Sequence, residues 1–201
     1  MRYDQNQKER TRARVLAEAA AAIRSKGVGR VGVAEIMAGA GLTHGGFYAH
    51  FKSKDDLVTQ ATAYMFDGSY AWFLRHTEGR DPADALSNYI DAYLAPSQRD
   101  DRARGCPLAA LSGDVLNMPE PARARFADGA ERSVAALAKL VKKLGVKNAE
   151  ALAWSALATM VGALTLARTV SDRDTSNRIL RSSRAMVKSR LGLDRRSRRA
   201  G

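Results

Sequence analysis

The side chains best suited to bind an anion lie in one short stretch of the chain. Thr43, Tyr48 and His50 offer hydroxyl and imidazole donors to phosphate oxygens. Lys54 follows Ser53, a residue that can cap a new helix, so the Lys54 ammonium would add its charge to the free N–H groups of a helix start. This combination predicts binding of a polyanion through its phosphates.

Two short helices would have to position these side chains. Residues 33–40 have apolar residues three and four apart, which is the pattern of one helix face, and Gly41 suits a sharp helix exit. A second helix over residues 43–51 would bury Phe47 and Phe51 against the first. Two helices joined by a short turn with glycine form a helix-turn-helix, whose second helix enters the major groove of DNA.

Glycines in the second helix need a reason, because each costs a helix about 1 kcal/mol relative to alanine. Close approach of the backbone at Gly45 and Gly46 to a DNA groove would supply one. The predicted DNA contacts are therefore Thr43, His44, Gly45, Tyr48, His50 and Lys54.

The stretch AGLTHGGFYAHFKSKDDL resembles the DNA-binding signature of the TetR family of bacterial transcription regulators. The resemblance is dense over residues 34–57 and extends more loosely back to Thr11. It implies an all-α homodimer with an N-terminal three-helix DNA-binding domain and a larger helical domain for ligand binding and dimerisation. The chain departs from the family at Gly32, where Ser or Thr is common, and at Ala22-Ile23, where Leu-Phe is common.

We expect three parts in the chain. Residues 1–53 would form the helix-turn-helix DNA-binding domain, residues 54–192 the ligand-binding and dimerisation domain, and residues 193–201 a basic disordered tail. Within the first part, a disordered arm over residues 1–7 would precede a first helix over residues 8–26.

Three arginines, Arg10, Arg12 and Arg14, lie near the start of the first predicted helix. They form a solvated helix face, or some of them contact phosphate, and the sequence leaves both interpretations open.

Apolar periodicity predicts six further helices, over residues 54–73, 82–95, from 107 onward, 120–144, 148–170 and 176–191, with a polar loop over residues 96–105. The helix over residues 148–170 is apolar almost all round and must be covered on more than one side. Its small residues, such as Gly162, permit close approach of another helix. The resemblance implies that the last two helices pair with those of a second subunit as a four-helix bundle, and packing within the monomer alone is the other arrangement.

Trp, Tyr, Phe and Met side chains between residues 54 and 170 indicate a largely apolar ligand pocket. Such a pocket predicts that the inducer is a small apolar or aromatic molecule. For any single aromatic residue, ordinary core packing is the simpler interpretation. The candidate lining residues are Met65, Trp72, Tyr89, Tyr93, Met118, Trp154 and Met160.

Cys106 is the only cysteine, so no intramolecular disulfide can form. It precedes Pro107, which suits the first position of a helix. A thiol at a helix N-terminus close to Arg102 and Arg104 favours the thiolate, which makes Cys106 a candidate sensor of oxidants or electrophiles. A packed and unreactive cysteine is the alternative.

Composition narrows the class of function. The net charge of +12 and a pI near 10.3 indicate an anionic partner without identifying it. The histidines are His44, His50 and His76, two of them inside the helix-turn-helix, and the sequence contains no Ser/His/Asp, metal-ligand or phosphate-loop constellation. We therefore expect no enzyme, no cofactor and no metal.

The sequence also bears on location. No apolar run approaches the roughly 18 residues of a membrane span, and residues 1–14 are polar and charged, without the apolar core of a signal peptide. We expect a cytoplasmic protein with no membrane partner.

These observations together predict a transcription regulator. In detail, we expect a homodimeric repressor that binds a pseudo-palindromic operator in double-stranded DNA and is released by a small-molecule inducer. One alternative is a non-specific architectural DNA-binding protein, which the charge and the run RRSRR at residues 195–199 favour. The other is a regulator that senses oxidants or electrophiles through Cys106.

Overall fold

The computed structural model describes the backbone of residues 2–194 and the side chains of residues 6–194. Within these residues the regular elements are all helices and none is a strand, which confirms the all-α prediction. The run RRSRR, which dominates the predicted basic tail, lies outside the described residues.

The described α-helices follow one another along the chain with short connections. They are α1 (Arg2–Lys26), α2 (Val33–Gly39), α3 (Lys54–Thr77), α4 (Pro82–Tyr93), α5 (Pro96–Asp100), α6 (Pro107–Leu111), α7 (Glu120–Lys143), α8 (Ala149–Thr169) and α9 (Arg173–Arg190). Short 3₁₀ helices lie at Val28–Arg30, His44–Ala49 and Val115–Asn117.

Helix α1 begins at Arg2, so the prediction of a disordered arm over residues 1–7 is wrong for the described residues. The physical reason is local: residues 2–26 contain neither Gly nor Pro and are rich in Gln, Glu, Lys, Arg and Ala, which favour a helix. The helix ends before Gly27.

Two further boundaries differ from the sequence prediction. The polar loop predicted over residues 96–105 contains α5, which Pro96 starts at a position where its missing N–H is not needed. Helix α9 begins at Arg173 instead of residue 176, because the Asp172 carboxylate accepts a hydrogen bond of 2.8 Å from the Thr175 N–H and so caps the helix.

Contacts within the chain divide the described residues into two compact units. The first takes the residues up to Gly68 together with Arg102–Gly129, and the second takes Ser69–Asp101 and the residues from Ala130 onward. The predicted domain boundaries after residues 53 and 192 stay predictions.

The core of the first unit joins the N-terminal helices. Its fully or almost fully buried side chains include Val15, Ala19, Ile23, Val31, Ile36, Met37, Phe47, Phe51 and Leu57. Residues 102–129 belong to the same unit: the Arg24 Nε donates to the Ala103 carbonyl over 2.5 Å, and the ring of Phe66 contacts Phe126 edge to face at 5.3 Å. The Phe66 ring also fills the place of a side chain at Gly129, where a Cβ would lie 2.2 Å from it.

The second unit is held by α8 and α9 and by ties from α9 to α4. The Lys188 ammonium donates to the Asp91 carboxylate over 2.6 Å, and the Arg184 guanidinium donates to the Leu94 carbonyl over 2.7 Å. Asp91, a residue on a predicted pocket-side helix, is therefore engaged in an ion pair.

Helix α8 has the length and composition of a membrane span, with a mean hydropathy of 1.4 over its most apolar 18 residues. The prediction that no apolar run approaches this length therefore needs correction. One such helix is weak evidence for a membrane, because an apolar helix in a protein core or interface meets the same criteria.

Candidate nucleic-acid interface

The turn between α2 and the following 3₁₀ helix is built as the sequence predicts. Gly41 adopts a φ of 69°, which few residues other than glycine tolerate. The Gly41 N–H donates to the Ala38 carbonyl and the Leu42 N–H donates to the Met37 carbonyl, both over 2.9 Å. These two bonds satisfy the last carbonyls of α2 and reverse the chain.

The segment after this turn, His44–Ala49, is a 3₁₀ helix and not the α-helix predicted over residues 43–51. Its bonds join residues three apart, such as the His50 N–H to the Phe47 carbonyl over 2.9 Å. Two adjacent glycines disfavour an α-helix this short, and short helical pieces are where the 3₁₀ form is common. We call His44–Ala49 the recognition segment.

The recognition segment buries one side and exposes the other. Phe47 is 1% exposed and stacks on Phe51 with ring centroids 5.6 Å apart. Tyr48 is 72% exposed, and its ring meets Phe47 edge to face at 5.2 Å. Thr43 and His44 are also exposed. The predicted contacts Thr43, His44 and Tyr48 therefore lie on the outer surface.

Thr43 and Gly45 are residue types that often cap a helix or permit close packing, and neither has that role in the recognition segment. Thr43 stands at the N-cap, a position where threonine commonly caps a helix, yet its side chain caps no N–H of the recognition segment. At Gly45, no heavy atom of the described residues outside its own stretch of backbone and its two chain neighbours lies within 4 Å of where a Cβ would be. The missing side chain leaves open space that the chain itself does not fill.

His50 is less accessible than the sequence suggests. Its Nδ1 is buried and has no hydrogen-bond partner among the described residues. Burial lowers the pKa of His50 below its usual 6.5, and the nearby charges of Lys8 and Arg12 lower it further. Both effects favour the neutral imidazole in the free protein, a form that can still exchange hydrogen bonds with DNA.

Arg12 is a residue whose role the sequence left open. Its Nη1 donates to the His50 carbonyl, its Nη2 donates to the Gln60 side-chain oxygen, and its guanidinium lies 4.8 Å above the centre of the Phe51 ring. These contacts direct Arg12 into the protein, whereas Arg10 and Arg14 are exposed. Arg12 therefore ties α1 to the end of the recognition segment.

The start of α3 carries the remaining predicted DNA contact, Lys54. The Ser53 hydroxyl accepts from the Asp56 N–H over 3.1 Å, and the Asp56 carboxylate accepts from the Lys52 N–H over 2.9 Å. The Lys52 hydrogen bond is the main cause of the lowered pKa of Asp56. This reciprocal capping fixes the helix start, where Lys54 is exposed as predicted.

Three of the seven predicted pocket residues form one cluster in the second unit. The Trp72 ring centroid lies 5.4 Å from that of Tyr89 and 6.5 Å from that of Tyr93. Sequence reasoning missed His76, whose ring lies 4.1 Å from Trp72 and whose Nδ1 lies 2.8 Å from the Trp72 carbonyl oxygen. The spacing of four residues on one helix was the available signal.

The other four predicted pocket residues have different surroundings. Met65 and Met118 are buried within the first unit, and Met160 is buried within the second. Trp154 is 44% exposed on α8. The binding roles of all seven residues stay predictions.

Cys106 is partly buried at the N-cap of α6. Helix α6 has five residues, so its dipole is small and gives the thiolate little stabilisation. The prediction that Cys106 senses oxidants or electrophiles stays a prediction. Among the residues whose side chains are described, no three His, Cys, Asp or Glu are grouped to hold a metal ion.

Comparison with known proteins identifies relatives of both parts of the chain. Residues 15–61 match the model described as bacterial regulatory proteins, tetR family. Residues 82–181 match the model for the C-terminal domain of LmrA/YxaF-like transcriptional regulators. A search of curated proteins found no significant match.

Solved structures show the same fold. A TetR transcriptional regulator from Chloroflexus aurantiacus is 24% identical, with a TM-score of 0.80 over 93% of this chain and 96% of that one. The reduced form of E. coli NemR is 21% identical, with a TM-score of 0.78 over 89% and 96% of the two chains. A TetR-family regulator from Agrobacterium tumefaciens is 22% identical, with a TM-score of 0.76 over 89% and 98%.

Proposed function

Because the chain belongs to the TetR family of bacterial transcription regulators, we propose that it is a repressor that binds a pseudo-palindromic operator as a homodimer. A small apolar or aromatic inducer would bind the second unit and release the protein from DNA. The two recognition segments of the dimer would enter successive major grooves, because half-sites related by the dimer axis lie whole helical turns apart.

The open space at Gly45 is the observation that carries the DNA-binding proposal. Gly45 has a negative φ and open space around its Cβ position, so neither backbone strain nor close packing requires a glycine there. Gly68 shares both features, and what distinguishes Gly45 is its position in the recognition segment, three residues before the exposed Tyr48. Contact of a DNA groove with the backbone accounts for a glycine at this position. The exposed Tyr48 hydroxyl and Lys54 ammonium would bind phosphates.

The dimer proposal rests on apolar side chains that α8 and α9 leave exposed. Leu166 is 58% exposed, Trp154 is 44% exposed and Met186 on α9 is 52% exposed. No heavy atom of the described residues lies within 4 Å of where a Cβ at Gly162 would be, so another helix has room to approach. Exposed apolar groups on neighbouring helices are typical of an interface between subunits.

The inducer proposal rests on the cluster of Trp72, Tyr89 and Tyr93. Aromatic rings offer a ligand large apolar contact area, and their polar edges add orientation. Since Tyr89 and Tyr93 are 6% and 3% exposed, an inducer would enter by displacing rings from one another. Trp72 belongs to the long helix that begins at Lys54, which gives ring movement a direct route to the DNA-binding surface.

The experiment that tests this function selects DNA from a pool of random duplexes and compares Gly45→Leu with a matched control, Gly68→Leu. Gly68 also has no neighbour within 4 Å of its Cβ position, but it lies within α3. We expect wild type and Gly68→Leu to bind the selected duplex at least about 1,000-fold more tightly than random DNA, the lower end of the usual range for a specific regulator. Gly45→Leu should lose the selected duplex and keep its circular dichroism spectrum.

Two results would contradict the proposal. Equal affinity of the wild type for selected and random DNA would favour the architectural alternative. Normal operator affinity in Gly45→Leu would remove the recognition segment from the groove.

A further inference from the structure

A surface recess beside the connection between α8 and α9 belongs to neither the DNA-binding surface nor the aromatic cluster. Its volume is about 330 Å³. Its charged lining residues are Arg99, Asp100, Arg168 and Arg173, and the hydroxyl-bearing Ser171 and Ser176 also line it. All of these residues belong to the second unit.

The most buried of the charged lining residues is Arg99, which is 7% exposed. Its Nη1 donates to the Ser176 hydroxyl and to the Asn177 side-chain oxygen, each over 2.9 Å. Its Nε and Nη2 donate to the two oxygens of Asp100 over 2.8 and 3.0 Å. Buried in this way, Arg99 is a fixed positive charge at the floor of the recess.

Asp100 is the single carboxylate of the lining. It is held by Arg99 and also by the Arg173 Nη1 over 2.8 Å. The hydrogen bonds from Arg99 and then from Arg173 lower the pKa of Asp100 to about 2, so the carboxylate is ionised at every physiological pH. The lining therefore carries three guanidinium groups and one carboxylate, a net charge of 3 − 1 = +2.

The positive charge of the lining exceeds what its one carboxylate balances. Arg168 also stabilises the fold, because its Nε donates to the Arg99 carbonyl over 3.1 Å and its Nη2 donates to the Gln98 carbonyl over 2.9 Å. Carbonyl groups have no net charge, so among the lining residues only Asp100 offsets the three guanidinium charges. A cleft lined by one sign of charge concentrates the field and attracts counter-ions. Guanidinium groups bind the oxygens of phosphate in a two-pronged geometry, which suits them to this ligand.

We propose that the recess at the α8–α9 connection binds a small phosphate-bearing anion, either inorganic phosphate or the phosphate group of a small organic ester. Arg173 would be the outer ligand, because it is 69% exposed and can turn toward an anion while Arg99 keeps Asp100 in place. The volume lies at the lower end of small-molecule sites, which range from about 300 to 1,000 Å³. It would hold a phosphate together with a short organic group.

The test is isothermal titration calorimetry of the full chain with inorganic phosphate and, separately, with ribose 5-phosphate, in the absence of DNA and at constant ionic strength set with chloride. We expect saturable binding of one anion per chain. Arg173→Gln should weaken binding at least about tenfold, because it removes one charge-assisted contact. Tighter binding of the ester than of inorganic phosphate would assign the site to organic phosphates, and equal binding would assign it to the phosphate group alone.

Arg178→Gln is the matched control. Arg178 is an exposed arginine of the same helix, it donates to the Thr175 hydroxyl, and it does not line the recess. It should change phosphate affinity by less than about twofold, as expected of a screened surface charge. Equal weakening by Arg173→Gln and Arg178→Gln would overturn the proposal, as would binding no stronger than that of chloride.

This site is independent of the proposed function. The Gly45→Leu variant should bind phosphate normally while losing the operator, and Arg173→Gln should bind the operator normally in phosphate-free buffer. Failure of one proposal can therefore be told from failure of the other.

Discussion

The recognition segment and helix α8 both expose groups to which the isolated chain gives no partner, but the chemistry of the two exposed surfaces differs. The recognition segment is a short 3₁₀ helix that exposes polar groups and an empty space at Gly45. Helix α8 has 21 residues and exposes apolar side chains such as Leu166. Polar groups beside a gap suit a hydrated polyanion, whereas an exposed apolar face suits a second protein surface. The chemistry of each surface indicates its partner.

The largest effect is expected from a charge on the α8 surface. Gly162→Arg would place a guanidinium in the proposed subunit interface, where an unpaired buried charge is strongly destabilising. We expect monomers or aggregates in analytical ultracentrifugation. Operator affinity should fall at least about 100-fold, because a monomer binds one half-site and loses the increase in affinity that comes from binding two half-sites at once.

The control for this variant is Ala135→Arg, which adds the same charge to an exposed position of α7. It should leave both the dimer and operator affinity unchanged. An intact dimer in Gly162→Arg would place the subunit interface on another surface and would remove the contrast between α8 and the recognition segment.

The next largest effect concerns Arg12, which positions the recognition segment from inside. Arg12→Gln should weaken operator binding about 10- to 100-fold, because losing partly buried, charge-assisted hydrogen bonds costs on the order of 1.5–3 kcal/mol. The slope of affinity against salt should stay unchanged, since no phosphate contact is lost. The pKa of His50 should rise, because Arg12 is one of the causes that lower it, and NMR titration of the imidazole would measure the change.

Arg10→Gln is the matched comparison, because Arg10 is exposed on the same helix. If Arg12 contacted phosphate instead, its removal would reduce the salt slope by about one unit, as removal of a phosphate ligand does. A reduced slope for Arg12→Gln would therefore show that the internal contacts are not its main role.

The Trp72→Ala variant distinguishes inducer binding at the aromatic cluster from thiol sensing by Cys106. Trp72→Ala should weaken inducer binding at least about tenfold, since it removes the largest ring of the cluster, and should leave operator affinity without ligand unchanged. Inducer binding should quench tryptophan fluorescence in the wild type and should depend little on salt.

Cys106→Ser should leave this response intact. The opposite pattern, in which Cys106→Ser abolishes the response to every inducer and Trp72→Ala preserves it, would replace the pocket by thiol sensing. The exposed Trp154→Phe variant accounts for the fluorescence that does not report on the cluster.

The smallest effects are expected from single phosphate contacts at the edge of the recognition segment. Lys54→Ala should weaken binding to operator and random DNA alike and should reduce the salt slope by about one unit. Tyr48→Phe removes a neutral hydroxyl and should cost only several-fold in affinity, since a typical hydrogen bond contributes about 1 kcal/mol. Fluorescence anisotropy at several salt concentrations measures both, and an unchanged slope would exclude Lys54 from the interface.

Local pattern was enough to predict much of this chain. Helical periodicity and the resemblance to the TetR family indicated the all-α class, and Gly41 indicated the turn that reverses the chain after α2. The spacing of Phe47 and Phe51 identified the buried side of the recognition segment, and Tyr48 is exposed as that spacing predicts. These features depend on residues within a few positions of one another, so the sequence alone contains the information. The family resemblance of residues 34–57 is confirmed for the same reason.

The tertiary structure decided everything that depends on residues distant in the chain. Arg12 differs from Arg10 and Arg14 only because the fold brings the His50 carbonyl and Gln60 within its reach. The lowered pKa of His50 follows from its burial, and the recognition segment is a 3₁₀ helix although its spacing suits an α-helix. The arginine-lined recess likewise collects Arg99, Arg168 and Arg173 from α5, α8 and α9. Periodicity encodes which side of a helix is buried, whereas electrostatic environment and site chemistry depend on which helices meet.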